Sequence, residues 1–310
     1  MRLRLGAVRL NSTFSQSVKH HRAFVNGINM HYAVAGPEGA PPVVLVHGWP
    51  ETWYAWRKQI PALSKNYRLI VPDLRGYGDS GKPKTDPNHS PYSKREMAAD
   101  MAELMKGLGH QTFSVMGHDR GGRVAHRLAR DYPERVNRLA VLDIAPTANM
   151  YSATDMAFAK AYYHWFFLIQ PYPLPETLIG KAPEFYLRRK MGSWGKSGNV
   201  HSDKAMADYL RCFSDPATIH ASCEDYRAAA SIDLIHDAEN QAERLDIPLF
   251  AISGADGFVA SHYDLKVEWE TSFNDVKTAT VPGGHFLPEE SPDELLSLVI
   301  PFFKASAELS

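Results

Sequence analysis

The residues best suited to chemistry are two aspartates and a histidine, each of which follows a short apolar run. Asp119 stands at the centre of a Gly-x-Asp-x-Gly motif whose glycines are Gly117 and Gly121. Such glycines permit a sharp strand–turn–helix, which is typical of a nucleophile elbow and exposes its central side chain at the end of the strand. Most elbows carry serine there, whereas a carboxylate needs no base to become a nucleophile. Attack by Asp119 on an sp³ carbon that bears a leaving group would form an alkyl ester.

His285 is the candidate base, because it follows two glycines at the end of the last apolar run. It would activate the water that hydrolyses the ester. Two carboxylates are candidates for the acid that orients His285. Asp143 follows the run after the elbow, and Asp256 follows the next one but would need a shift of register. We therefore prefer Asp143 and keep Asp256 as the alternative.

The elements that must position these residues follow a strand–helix rhythm. Asn26-Gly27 lies between β-prone residues and predicts a hairpin. Short apolar runs then alternate with helical segments, and such runs suit buried parallel strands. The sequence predicts an α/β fold with a mostly parallel, eight-stranded sheet flanked by helices. The runs are Val43–Val46, Leu69–Val71, Phe113–Met116, Leu139–Leu142, Pro248–Ser253 and Ala279–Val281.

The rhythm breaks after the sixth strand, where aromatic, Met and Ala residues dominate and no clean strand occurs. We predict a helical cap over residues 146–238. The core then comprises residues 23–145 and 239–310, and residues 1–22 form an N-terminal extension. Active residues of open α/β sheets gather at the carboxyl ends of the strands, so a cap that starts just after Asp143 should cover them.

Composition narrows the classes of function. The chain has 310 residues and a net charge of −1, which favours neither nucleic acid nor an anionic membrane as a partner. It has only two cysteines, Cys212 and Cys223, without metal or redox spacing. No apolar run reaches the roughly 18–20 residues of a membrane span. The histidines also lack metal-ligand spacing, so we expect neither a metal nor another cofactor.

The first 22 residues carry five basic residues and no acid. Transit peptides share this composition, but a loose extension of a cytoplasmic protein is the simpler interpretation and the one we adopt.

From about residue 24 to 305 the chain resembles an α/β-hydrolase, and in detail it is similar to the haloacetate (fluoroacetate) dehalogenases. The order Asp119, Asp143, His285 is the nucleophile–acid–base order of that superfamily. The more specific motifs are Gly117-His118-Asp119-Arg120-Gly121-Gly122-Arg123, Tyr163-His164-Trp165, Cys223-Glu224-Asp225-Tyr226-Arg227 and Gly284-His285-Phe286-Leu287-Pro288-Glu289-Glu290.

The resemblance implies hydrolysis of small 2-haloacids, such as fluoroacetate or chloroacetate, to glycolate and halide. Arg120 and Arg123 would bind the substrate carboxylate, which a guanidinium can hold bidentately. The backbone amides of Trp49 and Arg120 would form the oxyanion hole. The cap would supply three halide-binding residues, His164, Trp165 and Tyr226, and Trp194 would line the entrance. The resemblance also allows a homodimer, the state common among similar enzymes.

Epoxide hydrolysis is the main alternative, because it uses the same aspartate and histidine chemistry. It would need two cap tyrosines, and Tyr162 and Tyr163 are available, but His164-Trp165 fills the matching positions. Neither an epoxide hydrolase nor a haloalkane dehalogenase has use for two arginines beside the nucleophile. A catalytically inactive ligand-binding receptor on the same fold is disfavoured, because all three members of the triad are present.

Overall fold

The computed structural model describes residues 18–195, 200–240 and 243–307. The core is one eight-stranded sheet. Its strands are β1 (Lys19–Val25), β2 (Ile28–Ala35), β3 (Pro42–Val46), β4 (Arg68–Pro72), β5 (Phe113–His118), β6 (Val136–Leu142), β7 (Leu249–Gly254) and β8 (Val276–Val281). The spatial order is β1-β2-β4-β3-β5-β6-β7-β8, and all pairs are parallel except β1–β2 and β2–β4. The predicted sheet is confirmed.

The hairpin between β1 and β2 turns at Asn26 and Gly27, whose φ values are 42° and 79°. Two consecutive positive φ angles are those of a type I′ turn, as the Asn-Gly pair predicted. The strand β1 begins at Lys19, so the sheet starts inside the stretch 1–22 that was predicted to be an extension. Residues 1–17 of that stretch lie outside the described part of the chain.

Three α-helices precede the cap: α1 (Ile60–Leu63), α2 (Lys94–Gly107) and α3 (Arg120–Asp131). The hydroxyl of Ser93 accepts a hydrogen bond from the amide of Glu96 and so caps α2. Short 3₁₀ turns cover Trp53–Lys58, Ser90–Tyr92 and Pro133–Arg135.

Within the described ranges, the helices that follow β6 and form the cap are α4 (Thr147–Ser152), α5 (Met156–Ala161), α6 (Tyr163–Leu168), α7 (Leu174–Lys181), α8 (Pro183–Trp194), α9 (Asp203–Phe213), α10 (Pro216–Ala229) and α11 (Ile232–Glu239). The helical insertion after the sixth strand is therefore confirmed. The core resumes with β7 and is completed by α12 (Phe258–His262), α13 (Leu265–Glu270), α14 (Leu287–Glu290) and α15 (Pro292–Ala307).

Buried apolar side chains cover both faces of the sheet. Met97 and Met101 of α2 and Leu128 of α3 belong to one cluster, and Leu295 and Val299 of α15 belong to the other. This double covering explains why the parallel strands are apolar along their whole length. No helix within the described ranges is both long enough and apolar enough to cross a membrane.

Candidate active site

Asp119 occupies the turn between β5 and α3 with φ 47° and ψ −117°. Non-glycine residues rarely adopt such a conformation, which costs on the order of 1–3 kcal/mol. The turn closes because glycines flank it. A Cβ on Gly117 would lie 2.4 Å from the carbonyl oxygen of Gly121, and a Cβ on Gly121 would lie 2.3 Å from that of His47. The backbone is thus strained where it presents the predicted nucleophile.

The loop after β3 directs a backbone donor at this carboxylate. The amide of Trp49 donates a hydrogen bond of 2.9 Å to Oδ2 of Asp119. A Cβ on Gly48 would lie only 2.7 Å from Cβ of Asp119, so glycine permits this approach. The second predicted oxyanion-hole amide is that of Arg120, the first residue of α3, where amides have no partner within the helix. Both predicted donors therefore flank Asp119.

His285 lies between the two predicted triad aspartates. Its Nδ1 is 2.7 Å from Oδ2 of Asp143, and its Nε2 is 4.0 Å from Oδ1 of Asp119. An ionised carboxylate only accepts, so the neutral imidazole carries its proton on Nδ1 and a lone pair on Nε2. Nε2 is buried and has no hydrogen-bond partner within the described chain. This tautomer can take a proton from a water molecule at Asp119.

Asp143, rather than Asp256, is placed against the histidine. The side chain of Asp143 is buried, and its Oδ1 accepts a hydrogen bond of 3.2 Å from the amide of Gly254. Asp256 is exposed, and its Oδ2 accepts a hydrogen bond of 3.2 Å from the amide of Gly283. Of the two candidates, Asp143 is the one whose carboxylate lies within hydrogen-bond distance of the imidazole in the described chain.

His118, next to the predicted nucleophile, holds the backbone of His285 through a hydrogen bond. Its Nδ1 is 3.1 Å from Oε2 of Glu51, and its Nε2 is 2.8 Å from the carbonyl oxygen of His285. Both partners are acceptors, so both ring nitrogens must carry protons. Burial opposes the charge, but the hydrogen bond to Glu51 and its charge outweigh that effect and raise the pKa of His118 to about 9. His118 is therefore an imidazolium that anchors the backbone of His285.

Arg120 is fully buried and held by the cap. Its Nε and Nη2 donate to the Asp225 carboxylate at 3.1 and 2.5 Å, and its guanidinium lies 4.2 Å from the centre of the Tyr226 ring. The third nitrogen, Nη1, is buried and has no hydrogen-bond partner among the residues described. One face of the guanidinium fork thus remains available to a ligand.

Arg123 is also buried, but no acid in the described part of the chain pairs with it. Its Nη1 donates to the carbonyl oxygen of Ala145 at 3.1 Å and to the hydroxyl of Thr147 at 2.8 Å. Its Nε has no partner in the described ranges, and the guanidinium lies 4.8 Å from the centre of the Trp165 ring. Burial and the charge of Arg120 lower the pKa of Arg123. The charge of Asp119 opposes these effects without outweighing them, and a buried cation without an ion-pair partner is costly unless an anion joins it.

Buried donors from the cap converge beside the two arginines. The rings of His164 and Tyr226 are 5.4 Å apart between centroids, and those of Trp165 and Tyr226 are 6.3 Å apart. Their polar atoms, Nε2 of His164, Nε1 of Trp165 and the hydroxyl of Tyr226, are all buried and lack hydrogen-bond partners in the described chain. Three unpaired groups each cost about 1–3 kcal/mol, so their grouping indicates an acceptor ligand.

Trp49 adds a fourth such group, which the sequence analysis missed because it considered only the amide. Its ring stacks on His164 with centroids 5.2 Å apart, and its Nε1 is likewise unpaired among the described residues. A buried tryptophan is usually a packing residue, so nothing in the sequence distinguished this indole.

A cavity of about 330 Å³ leads to the site and is lined by both Trp194 and His285. The Trp194 ring is half-buried, and its centroid lies 5.0 Å from that of His285 and 4.6 Å from that of His164. Trp194 therefore lines this cavity beside His285, and its role at the entrance stays a prediction.

Lys190 lines the same cavity, and the sequence analysis did not single it out. Its side chain is 1% exposed, and its Nζ lies 3.3 Å from Nδ1 of His164. Burial lowers the pKa of Lys190 to about 7. In sequence it resembles any basic residue of an amphipathic helix, and only the packing of the cap reveals its position.

Two acid–histidine groups could in principle hold a metal, namely His31, Asp73 and Asp79, and Glu51, His201 and Glu289. In the second group Arg57 binds the Glu289 carboxylate with two nitrogens, and His118 pairs with Glu51. In the first group the Asp73 carboxylate is hydrogen-bonded to the ring of His31 and to the backbone amides of Trp53 and Asp79. Protein donors therefore already bind the carboxylates of Asp73, Glu289 and Glu51, the last through Oε2.

Comparison with known proteins agrees with this fold and leaves two activities open. The family model of the α/β-hydrolase fold matches residues 41–292. The chain is 39% identical over 279 residues to a fluoroacetate dehalogenase from Burkholderia sp, covering 90% of this chain and 91% of the relative. It is 38% identical over 300 residues to a soluble epoxide hydrolase from Corynebacterium sp. (strain C12), covering 93% and 98%.

A solved structure of an α/β-hydrolase-type protein from Nostoc sp PCC 7120 superposes with a TM-score of 0.91 at 48% identity, covering 94% of this chain and 99% of that chain. With the fold, the order of the site residues and the family match in agreement, the chain belongs to the α/β-hydrolase superfamily.

Proposed function

We propose that this enzyme hydrolyses small 2-haloacids, with fluoroacetate and chloroacetate as test substrates, to glycolate and halide through an ester of Asp119. The observation that carries the proposal is Arg123, a buried guanidinium beside Arg120 without an acidic partner in the described chain. A substrate carboxylate would supply the missing charge. Bound by the free Nη1 of Arg120 and Nε of Arg123, it would hold its Cα against Asp119.

The first step is displacement at Cα. Oδ2 of Asp119 is held by the Trp49 amide, which leaves Oδ1 as the attacking atom. Oδ1 forms a bond to Cα while the carbon–halogen bond breaks, and the halide leaves with the bonding electrons. The unpaired N–H and O–H groups of His164, Trp165 and Tyr226 are suited to donate hydrogen bonds to this developing anion. The arginines hold the other end of the substrate, so attack and departure are in line.

The second step hydrolyses the ester. Nε2 of His285 takes a proton from water, and the resulting hydroxide attacks the ester carbonyl carbon of Asp119. The carbonyl oxygen, formerly Oδ2, becomes an oxyanion beside the Trp49 amide. Collapse of this intermediate breaks the bond to the glycolate oxygen, which takes up the proton from His285 and leaves Asp119 as the carboxylic acid. Loss of this proton to solvent restores the carboxylate nucleophile, so one proton is released with the halide. The reaction consumes only the haloacid and water.

Epoxide hydrolysis is the second candidate, because the cap also offers buried tyrosines. The hydroxyl of Tyr226 has no partner in the described chain, and Tyr162, whose ring centroid lies 5.7 Å from that of His164, is buried as well. Two such phenols can protonate an epoxide oxygen. That reaction provides no anion for Arg123, which is why we rank it second.

The test measures halide release from fluoroacetate and chloroacetate and, in parallel, diol formation from styrene oxide. We expect halide release by the wild type and a loss of at least about 10³-fold in Asp119→Asn, which cannot form the ester. Diol formation without halide release would refute the dehalogenase and support the second candidate.

A further inference from the structure

Lys190 is a buried charged residue of the cap that the proposed mechanism does not use. It lies on α8, with Nζ 4.0 Å from the centre of the Trp194 ring and 4.4 Å from that of Tyr163. No carboxylate in the described part of the chain pairs with it. Its nearest polar partner is Nδ1 of His164, at 3.3 Å. A lysine on the surface would be solvated, so this burial calls for a specific partner.

The direction of this hydrogen bond follows from the donors available below about pH 7, where Lys190 is an ammonium. A lysine ammonium has three N–H donors and no acceptor, so Nδ1 of His164 must accept through its lone pair. Burial and the charge of Lys190 lower the pKa of His164 well below its ordinary value, which keeps the imidazole neutral. A neutral imidazole whose Nδ1 accepts carries its one proton on Nε2.

Nε2 of His164 is buried and has no hydrogen-bond partner in the described chain, and the His164 ring packs 5.4 Å from that of Tyr226 between centroids. In the Nε2–H tautomer it donates to an anion in this pocket. In the Nδ1–H tautomer it would present a lone pair and repel the anion. The tautomer therefore decides whether His164 helps or hinders the departure of a halide.

We propose that Lys190 is a positioning residue that fixes His164 in its Nε2–H tautomer and so maintains the donor set for the leaving group. This role rests on the proposed dehalogenation. It should matter most for fluoride, because a poor leaving group depends more on donors in the transition state than bromide does.

The kinetic test, at about pH 6 where Lys190 is charged, compares fluoroacetate with bromoacetate in the wild type and in Lys190→Met, which keeps most of the length of the side chain but removes the donor. We expect kcat for fluoroacetate to fall about 10- to 100-fold and kcat for bromoacetate to fall less than about 3-fold, with KM nearly unchanged. Lys181→Met, the same change on an exposed residue of α7, should leave both substrates unaffected. Equal losses on both substrates, or a change in KM alone, would overturn the proposal.

The tautomer itself is measured by ¹⁵N NMR of the His164 ring without substrate, at about pH 6, where Lys190 is charged because its pKa is about 7. We expect the proton on Nε2 in the wild type and a mixture of tautomers in Lys190→Met. A proton on Nδ1 in the wild type would overturn the proposal, even if the variant did not fold. If the wild type releases no halide from either substrate, the dehalogenase function fails, whereas the spectrum still decides whether Lys190 sets the tautomer.

Discussion

Arg120 and Asp225 form a buried ion pair that joins the core to the cap, with Nη2 of the arginine 2.5 Å from Oδ1 of the aspartate. Asp225 also binds Lys94 and accepts a hydrogen bond of 2.5 Å from the Tyr77 hydroxyl. These partners hold the pKa of Asp225 well below its usual range despite burial. The orientation of a predicted carboxylate-binding arginine is therefore set by a residue of the cap.

Replacement of Asp225 by Asn should weaken substrate binding. The amide cannot balance Arg120 and Lys94, so we expect KM for fluoroacetate to rise about tenfold and the free energy of unfolding to fall by about 3–5 kcal/mol. Steady-state kinetics and urea denaturation measure the two effects. Glu224→Gln is the matched control, because Glu224 lies on the same helix and pairs with Arg227 rather than Arg120. An unchanged KM in Asp225→Asn would contradict the positioning role.

Arg123→Met separates binding from stability. Removal of a guanidinium that should hold the substrate carboxylate is expected to raise KM at least about tenfold. The same change removes a buried cation without an acidic partner in the described chain, so the free energy of unfolding should stay within about 1 kcal/mol of the wild type or increase. Kinetics and chemical denaturation test this pair of outcomes. A large loss of stability with unchanged KM would identify Arg123 as a structural residue instead.

His285→Gln should trap the reaction at the ester. Displacement at Cα needs only the Asp119 carboxylate, whereas hydrolysis needs the base that lies 4.0 Å from Oδ1. We expect the variant to release one equivalent of halide and to gain the mass of one carboxymethyl group on the peptide that contains Asp119. Mass spectrometry after digestion detects this product. The double variant Asp119→Asn/His285→Gln should gain no mass, and a mass gain at another residue would refute Asp119 as the nucleophile.

The fold was predictable from the sequence because its determinants are local. Apolar runs, the Asn26-Gly27 turn and the glycines around Asp119 act over a few residues, and each produced the expected element. Because the carboxyl ends of the parallel strands lie at one edge of the sheet, the residues that follow these strands were expected to lie close together there.

The partners that orient the site were not predictable in the same way. Lys190 reaches His164 only because α8 packs against α6, and Asp225 reaches Arg120 only because α10 lies over the elbow. Glu51 and His118 are likewise brought together by a loop and a strand 67 residues apart. Such pairs depend on how the cap and loops pack, for which a single sequence carries no periodic signal.

His118 should make stability depend on pH in a defined direction. Its pKa is raised from 6.5 to about 9 in the folded protein, so its contribution is complete below about pH 6.5 and is lost as pH rises through 9. We expect His118→Asn to lower the free energy of unfolding at both pH values. The loss should be about 2–3 kcal/mol larger at pH 6 than at pH 10. Urea denaturation at both pH values gives this difference. A difference independent of pH would show that His118 is not an imidazolium.

Lys190 should act in the opposite direction. Burial lowers its pKa from 10.5 to about 7, so the folded protein binds the proton more weakly than the unfolded chain does. The cost to stability is complete below about pH 7 and disappears as pH rises towards 10.5. Lys190→Met should therefore be more stable than the wild type by about 2–4 kcal/mol at pH 6 and by little at pH 11.

Between about pH 7 and 9, titration of His118 lowers the free energy of unfolding as pH rises, whereas titration of Lys190 raises it. The contribution of one residue is therefore obtained only from the difference in unfolding free energy between its variant and the wild type. Lys181→Met, on an exposed helix, should show no such dependence on pH. A Lys190→Met protein that is less stable than the wild type at pH 6 would contradict a desolvated ammonium. A more stable variant that also loses fluoride selectivity would mean that the buried lysine is kept for its hydrogen bond to His164, at a cost to the stability of the fold.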